Sequence, residues 1–168
     1  MNNNEVIMPI IRPMVPEDRD LIMPFFDQMS GESRSFLYEG PQRESMDRCL
    51  RGEYPDRRTF IAVDKDENGK EFAAGYVFLW NLNTKTPSLG IAVSEVWKGR
   101  HLGRALMKYA EDYCYKHNKG GIFLTTHIAN ARAQKLYLNS GYKKLGVNNE
   151  VVFFRYFDDE LPENDGTV

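Results

Sequence analysis

Leu89-Gly-Ile-Ala-Val93, then Trp97-Lys-Gly-Arg-His-Leu-Gly-Arg104, then a helical run to Lys116 form the stretch on which the fold turns. Leu102, Ala105, Leu106, Tyr109, Ala110, Tyr113 and Cys114 recur at helical spacing on one face, with Arg104, Lys108, Glu111, Asp112 and Lys116 opposite. The order is therefore strand, basic loop, amphipathic helix. A helix N-terminus presents unpaired N–H groups and the positive end of its dipole, which suits it to phosphate. Gly99 and Gly103 let the backbone approach an anion closely, and Lys98, Arg100 and Arg104 add full charges. The same residues also describe a solvated basic turn ahead of an ordinary helix, and the loop alone does not choose between the two. It matches neither GxxxxGK[ST] nor GxGxxG, so neither a P-loop nor a dinucleotide fold is indicated.

Downstream, Gly120-Gly121 breaks the chain before a strand from Ile122 to His127. A short helix is expected from Asn130 to Ser140, ended by Gly141, and Val151 to Phe157 reads as the strand that closes the sheet. Upstream, Thr59 to Val63 and Glu71 to Trp80 flank turn residues Asp64 to Gly69 and read as a hairpin, followed by a strand from Ser88 to Val93. Earlier still come a strand from Ile7 to Arg12 and a helix start at Pro16-Glu17-Asp18. Leu21, Ile22, Phe25, Phe26 and Met29 continue that helix, and Pro24 is expected to kink or split it. Further helical pieces begin near Ser30 and run from Gln42 to Arg51. Early helices, an antiparallel meander and a final β–α–β–α–β run predict an α/β (α+β) layered domain with a mixed sheet.

Composition narrows the class. The 168 residues suit one domain spanning 1–168, with 158–168 as a flexible acidic tail after the last base, Arg155. With 42% hydrophobic and 27% charged residues the chain is expected to fold throughout most of its length. Cys49 and Cys114 have no CxxC or Cys/His metal spacing and read as small buried apolar residues, so no metal is expected. Met1–Glu5 lacks the charged-then-apolar pattern of a signal peptide, and no apolar run approaches the ~20 residues needed to span a bilayer. A soluble, cytoplasmic protein with no membrane partner is the expectation. The basic patch from Lys98 to Lys108 is too isolated to read as a nucleic-acid surface.

The motifs carry a resemblance. Lys98 to Gly103 resembles the pyrophosphate loop of the GNAT superfamily of acetyl-CoA-dependent N-acetyltransferases, [Gln/Arg]-x-x-Gly-x-[Gly/Ala], with Lys98 at the first position and His101 where the middle glycine is usual. His tolerates positive φ better than most residues, so the loop can keep its shape. Asn130-Ala-Arg-Ala133-Gln-Lys-Leu136-Tyr137-Leu-Asn-Ser-Gly141-Tyr142 resembles the Asn-x-x-Ala-x-x-Leu-Tyr-x-x-x-Gly-[Phe/Tyr] segment of that family. Weaker echoes are Ile11-Arg12 with Glu17-Asp18, and Ala73 to Tyr76.

The resemblance implies a mixed, mostly antiparallel twisted sheet of six to seven strands flanked by about four helices. Parallel strands Ser88–Val93 and Ile122–His127 then splay at the acetyl-CoA site. Pantetheine pairs with backbone near Ile91 and Val93, and residues Lys98, Gly99, Arg100, His101, Leu102, Gly103 and Arg104 hold the pyrophosphate. A backbone N–H of the first strand stabilises the oxyanion formed when an amine attacks the thioester. Tyr137, as neutral phenol, protonates the leaving thiolate; without the motif it reads as a core aromatic. Asn130 has two compatible readings, a pantetheine contact and an N-cap. The strand before the loop lacks the carboxylate base many relatives place there, which leaves His127 as the candidate base, although a histidine at a strand end is more often a satisfied structural one. Glu32 and Glu39 can attract a cationic amine or simply face solvent. The expected activity is acetyl transfer from acetyl-CoA, a co-substrate, to a primary amine of a small molecule or protein, by direct attack in a ternary complex. The alternative is a catalytically weak or inactive acyl-CoA-binding or regulatory module. A homodimer is common among such folds.

Overall fold

The computed structural model describes residues 6–157, apart from residue 38 and the side chains of 37–41 and 148. Glu39's side chain and the acidic tail from 158 to 168 therefore lie outside the described residues. The chain runs β1 (Ile10–Pro13), a 3-10 turn, α1 (Arg19–Asp27), α2 (Gly31–Leu37), α3 (Glu39–Leu50), β2 (Arg58–Lys65), β3 (Glu71–Trp80), β4 (Ser88–Val93), a second 3-10 turn, α4 (Leu102–Lys116), β5 (Gly121–His127), α5 (Ala131–Asn139), β6 (Lys143–Asn148) and β7 (Glu150–Tyr156). One mixed sheet holds all seven strands in the order β1-β2-β3-β4-β5-β7-β6, antiparallel except for the β4–β5 pair.

Three expectations change. Val151–Phe157 does not close the sheet: β7 is interior, between β5 and β6, and β6 is the edge. The sequence Lys143-Lys-Leu-Gly-Val-Asn148 hides this strand because its described positions are mostly exposed, as an edge strand's can be. Pro24 does not split α1, which continues past it to Asp27. Proline at the sixth of nine positions leaves one carbonyl, that of Asp20, without its usual helical N–H. Glu111, expected on the solvent face of α4, is 13% exposed and pairs with Arg155 of β7 at 2.5 Å, while Met107 is fully buried.

Helices cover both faces of the sheet. Ile22, Phe25 and Phe26 of α1 and Met46 and Leu50 of α3 pack on Ile61, Val63, Ala73 and Tyr76. On the other face Leu102, Leu106, Met107, Ala110 and Cys114 of α4 pack on Phe60, Ala62, Ala74, Val77 and Leu79. Double coverage explains why Phe60 to Val63 reads as an unbroken apolar run. Each of these large side chains contributes about 1.5–3 kcal/mol by leaving water. Burial also pushes the Cys114 thiol up to about 12, which leaves it inert at neutral pH, as its apolar reading implied.

One irregularity matters for the site. Ala62 pairs with Gly75 and Val63 with Ala73, so Ala74 is an extra residue in β3. Before it, Phe72 and Ala74 face α4; after it, Val77 and Leu79 do, while Tyr76 and Phe78 turn to the α1–α3 face. The bulge thereby turns the end of β3 so that Phe78 and Trp80 help line the cavity described next.

Candidate functional site

β4 and β5 are registered only at Ser88↔Phe123. Beyond that point Leu89 to Val93 keep their antiparallel partners on β3 but have an unpaired edge toward β5. Into this gap opens a cavity of about 480 Å³, lined by β4, the ends of β5 and α5, parts of α2 and α3, and the turn carrying Arg57. Ile91, Val93, Lys98, Asn130, Tyr137 and His127 all line it, whereas Gly99, Arg100, His101, Leu102, Gly103 and Arg104 of the loop are not among its lining residues.

The basic loop is held from beneath. Trp97 is buried and its Nε1 donates to Asp64 Oδ2 of β2 at 2.8 Å. Gly99 and His101 both adopt left-handed backbone, with φ of 71° and 67°. His101 thus stands in the conformation a glycine would take, as expected, and serves as the N-cap of α4 without a side-chain cap bond. The N–H groups of residues 102 to 104 have no protein partner among the described residues. These are the orphan donors an oxyanion can satisfy. Gly103 has no unusual φ; a Cβ there would sit 3.1 Å from Leu136 Cδ2, so the residue permits α4 to approach α5.

The cations of the loop are not equivalent. Arg104 is exposed, whereas Arg100 lies 4.0 Å over the Trp97 ring and donates to the Val96 carbonyl at 3.2 Å. Lys98 turns away from the loop: its Nζ donates to Glu95 Oε1 at 2.7 Å and to Ser33 Oγ of α2. Ser33 Oγ also donates to Glu95 Oε1 at 2.8 Å. This cluster ties α2 to the loop.

The hydrogen bond from Lys98, aided by those from Ser33 and Ser30, lowers the Glu95 carboxyl from 4.5 to about 2. A folded pKa below the unfolded one stabilises the fold above about 4.5, and that contribution disappears as pH falls from 4.5 to 2. Glu95 is 40% exposed, so solvent screening keeps the effect small. In Lys98→Gln the drop in urea midpoint between pH 5 and pH 3 is expected to be smaller than in wild type; an equal drop would remove the pair from the acid response.

Tyr137 is 5% exposed, edge-on to Phe153 with ring centroids 5.5 Å apart. Its hydroxyl has no hydrogen-bond partner among the described residues, and burial holds its proton well above the ordinary phenol range. Asn130 caps α5, its Oδ1 accepting from Ala133 N at 3.2 Å, and also lines the cavity, so both of its readings are compatible with the geometry. At the end of β5 the Ala129 N–H donates to His127 Nδ1 at 3.1 Å. An amide can only donate, so neutral His127 carries its proton on Nε2.

Several lining residues had no predicted role, among them the charged Glu150, Arg57 and Arg132. Glu150 is the cross-strand partner of His127, and Arg57 is buried at the wall near α3. Glu150 stands at the first position of β7 and Arg57 just before β2, and neither lies in a motif. Glu32 of α2 lines the cavity and is exposed. No helix among the described residues is long and apolar enough to cross a membrane, and no group of three His, Cys, Asp or Glu side chains is placed to hold a metal ion.

Comparison with known proteins agrees with this geometry. The model of the acetyltransferase (GNAT) family matches residues 24–142. Streptothricin acetyltransferase of Streptomyces lavendulae is 31% identical over 98 residues, 58% of this chain and 51% of that protein. The chain thus spans about half the length of this curated relative. The GNAT domain of S. lividans PAT superposes with a TM-score of 0.72 at 16% identity, over 87% of this chain and 89% of that one. Spermidine N-acetyltransferase from Vibrio cholerae, solved in complex with CoA and spermine, superposes with a TM-score of 0.65 at 18% identity, over 88% and 94% of the two chains. At such identities the structural likeness speaks for the fold alone.

Proposed function

We propose that this chain, which belongs to the acetyltransferase (GNAT) family, transfers an acetyl group from acetyl-CoA to a primary amine by direct attack in a ternary complex. The observation that carries this reading is the cavity at the splayed β4–β5 pair, where an unpaired strand edge meets a buried phenol that has no hydrogen-bond partner among the described residues.

The unpaired edge of β4 at Ile91 and Val93 receives the amide-bearing pantetheine arm as an added strand would. Asn130 supports that arm with the side-chain amide left over from capping. The free N–H groups at the start of α4 and the Arg104 guanidinium hold the pyrophosphate, with Arg100 free to join once it leaves the Trp97 ring. A backbone N–H of β4 stabilises the negative charge that develops on the thioester oxygen as the C–N bond forms. Tyr137 donates its proton to the sulfur as the C–S bond breaks. The Nδ1 bond from Ala129 disfavours His127 as the direct base, because its remaining nitrogen already bears a proton. Glu150, beside it across the strand pair, takes the ammonium proton through water, and His127 orients that water.

Calorimetry with acetyl-CoA and a thiol-release assay over an amine panel test binding and turnover separately. Failure to bind acetyl-CoA would sink the proposal. Binding without release over a broad panel would favour an acyl-CoA-binding or regulatory module. Arg104→Glu is expected to raise the Kd for acetyl-CoA about ten-fold, a charged hydrogen bond's worth, and Arg100→Glu less. Unchanged affinity in Arg104→Glu would remove that residue from the phosphate site.

A further inference from the structure

Arg57 is 7% exposed, and no carboxylate among the described residues pairs with it. Its Nη1 donates to Ser45 Oγ at 2.6 Å, and the Phe78 ring lies 4.0 Å from its Cζ. Among the described residues, Nε and Nη2 meet no acceptor, and neither atom is open to solvent. Burial lowers its pKa from the ordinary guanidinium value, but a guanidinium stays charged at any physiological pH. Arg57, Ser45 and Phe78 all line the cavity, so this uncompensated charge stands at the wall of the acceptor half.

A buried charge without a counter-ion is costly, and a fold keeps one where something else supplies the anion. The free atoms narrow what that anion is. Nε and Nη2 form one edge of the guanidinium, with two N–H bonds directed alike, and this edge matches the two oxygens of a carboxylate. The neighbourhood is built to hold the group in place. The Phe78 ring lies over Gly90 so closely that a Cβ there would fall 2.2 Å from Phe78 Cζ. Only glycine leaves room for the ring on which the guanidinium stacks. At another part of the same cavity stand the acids Glu32 and Glu150, suited to an ammonium.

Resting on the acetyl-transfer reading above, we propose that the acceptor is an amino acid: an amine that also bears a carboxylate, which Arg57 receives. The carboxylate reaches the free Nε–Nη2 edge by displacing the groups that cover it, while Nη1 keeps its bond to Ser45 Oγ. The charge of Arg57 then becomes compensated, and a plain amine of the same shape leaves it unpaired.

Matched pairs test this. The protein is titrated calorimetrically, with and without coenzyme A, with lysine against cadaverine and phenylalanine against phenethylamine. Phosphoethanolamine against ethanolamine serves as the phosphate arm. At least one amino acid is expected to bind about ten- to a hundred-fold more tightly than its decarboxylated partner, the range of a hydrogen-bonded charge pair. In Arg57→Gln that ratio should fall toward one, and Arg57→Lys should lie between, because it keeps charge without the fork. The wild-type comparison stands even if the variants fail to fold. Equal binding within each pair, no binding of any amino acid up to 10 mM (roughly the weakest affinity a single charged contact leaves), or a preference that survives Arg57→Gln would overturn the proposal. A larger preference in the phosphoethanolamine pair would overturn the carboxylate in favour of phosphate. Acetyl-CoA titration and thiol release run alongside, so failure of acetyl transfer is seen separately from equal binding of the pairs.

Discussion

Replacing Tyr137 with phenylalanine is expected to lower kcat by about a hundred-fold or more, the usual contribution of a positioned general acid. Acetyl-CoA affinity should change by no more than about three-fold, because the substitution removes one hydroxyl and leaves the ring's packing intact. The ring is edge-on to Phe153 and buried, so phenylalanine fits the same space. Among the described residues the hydroxyl has no partner whose loss would disturb the fold. Its raised pKa keeps the proton in place across the neutral range, which an acid needs and a base does not. Steady-state thiol release with calorimetric Kd values checks both parts. Wild-type kcat in Tyr137→Phe would strip the residue of the acid role and leave it a wall of the cavity.

Phe153→Ala should be the most damaging single change for stability. Phe153 is fully buried in interior strand β7 and also supports Tyr137 from below. Loss of a core phenylalanine costs about 3–5 kcal/mol, a large share of the roughly 5–15 kcal/mol that holds a domain of this kind together. At about 2–4 °C per kcal/mol, thermal unfolding should begin on the order of 10 °C lower. Tyr156→Ala, three residues on in the same strand but 58% exposed, should cost no more than about 0.5 kcal/mol. Melting both variants by circular dichroism decides the matter: equal losses would mean that β7 is not packed as described. Because Phe153 positions Tyr137, kcat should fall in Phe153→Ala even below its melting range.

The elements that carry the proposed donor half were legible in the sequence. Its parts are contiguous in sequence, and each rests on backbone chemistry that local residues dictate. The bounds of β4, Ser88–Val93, hold, as do the α4 start after Gly99 and His101 and the Asn130 cap of α5. The acceptor half was not legible. Arg57 and Glu150 are 93 positions apart, one just before β2 and the other at the first position of β7, and neither lies in a motif. His127 illustrates the difference: residue type suggested a base, and one backbone N–H at its Nδ1 argues otherwise.

By itself the sequence determined the family, the strand–loop–helix that offers free N–H groups, and Tyr137 within its motif. These depend on short-range pattern: apolar spacing, glycine and histidine backbone freedom, and capping chemistry. Only the tertiary structure decided which way the rest of the cavity faces. The extra residue at Ala74 turns Tyr76 and Phe78 to the α1–α3 face. The insertion of β7 beside β5 brings Glu150 to His127, and among the described residues Arg57 is buried with no carboxylate paired to it. A bulge changes the side a residue faces without changing its identity, and a strand order brings distant residues together at no cost to local pattern. The charge on Arg57 became informative only once burial left it with no carboxylate beside it among the described residues.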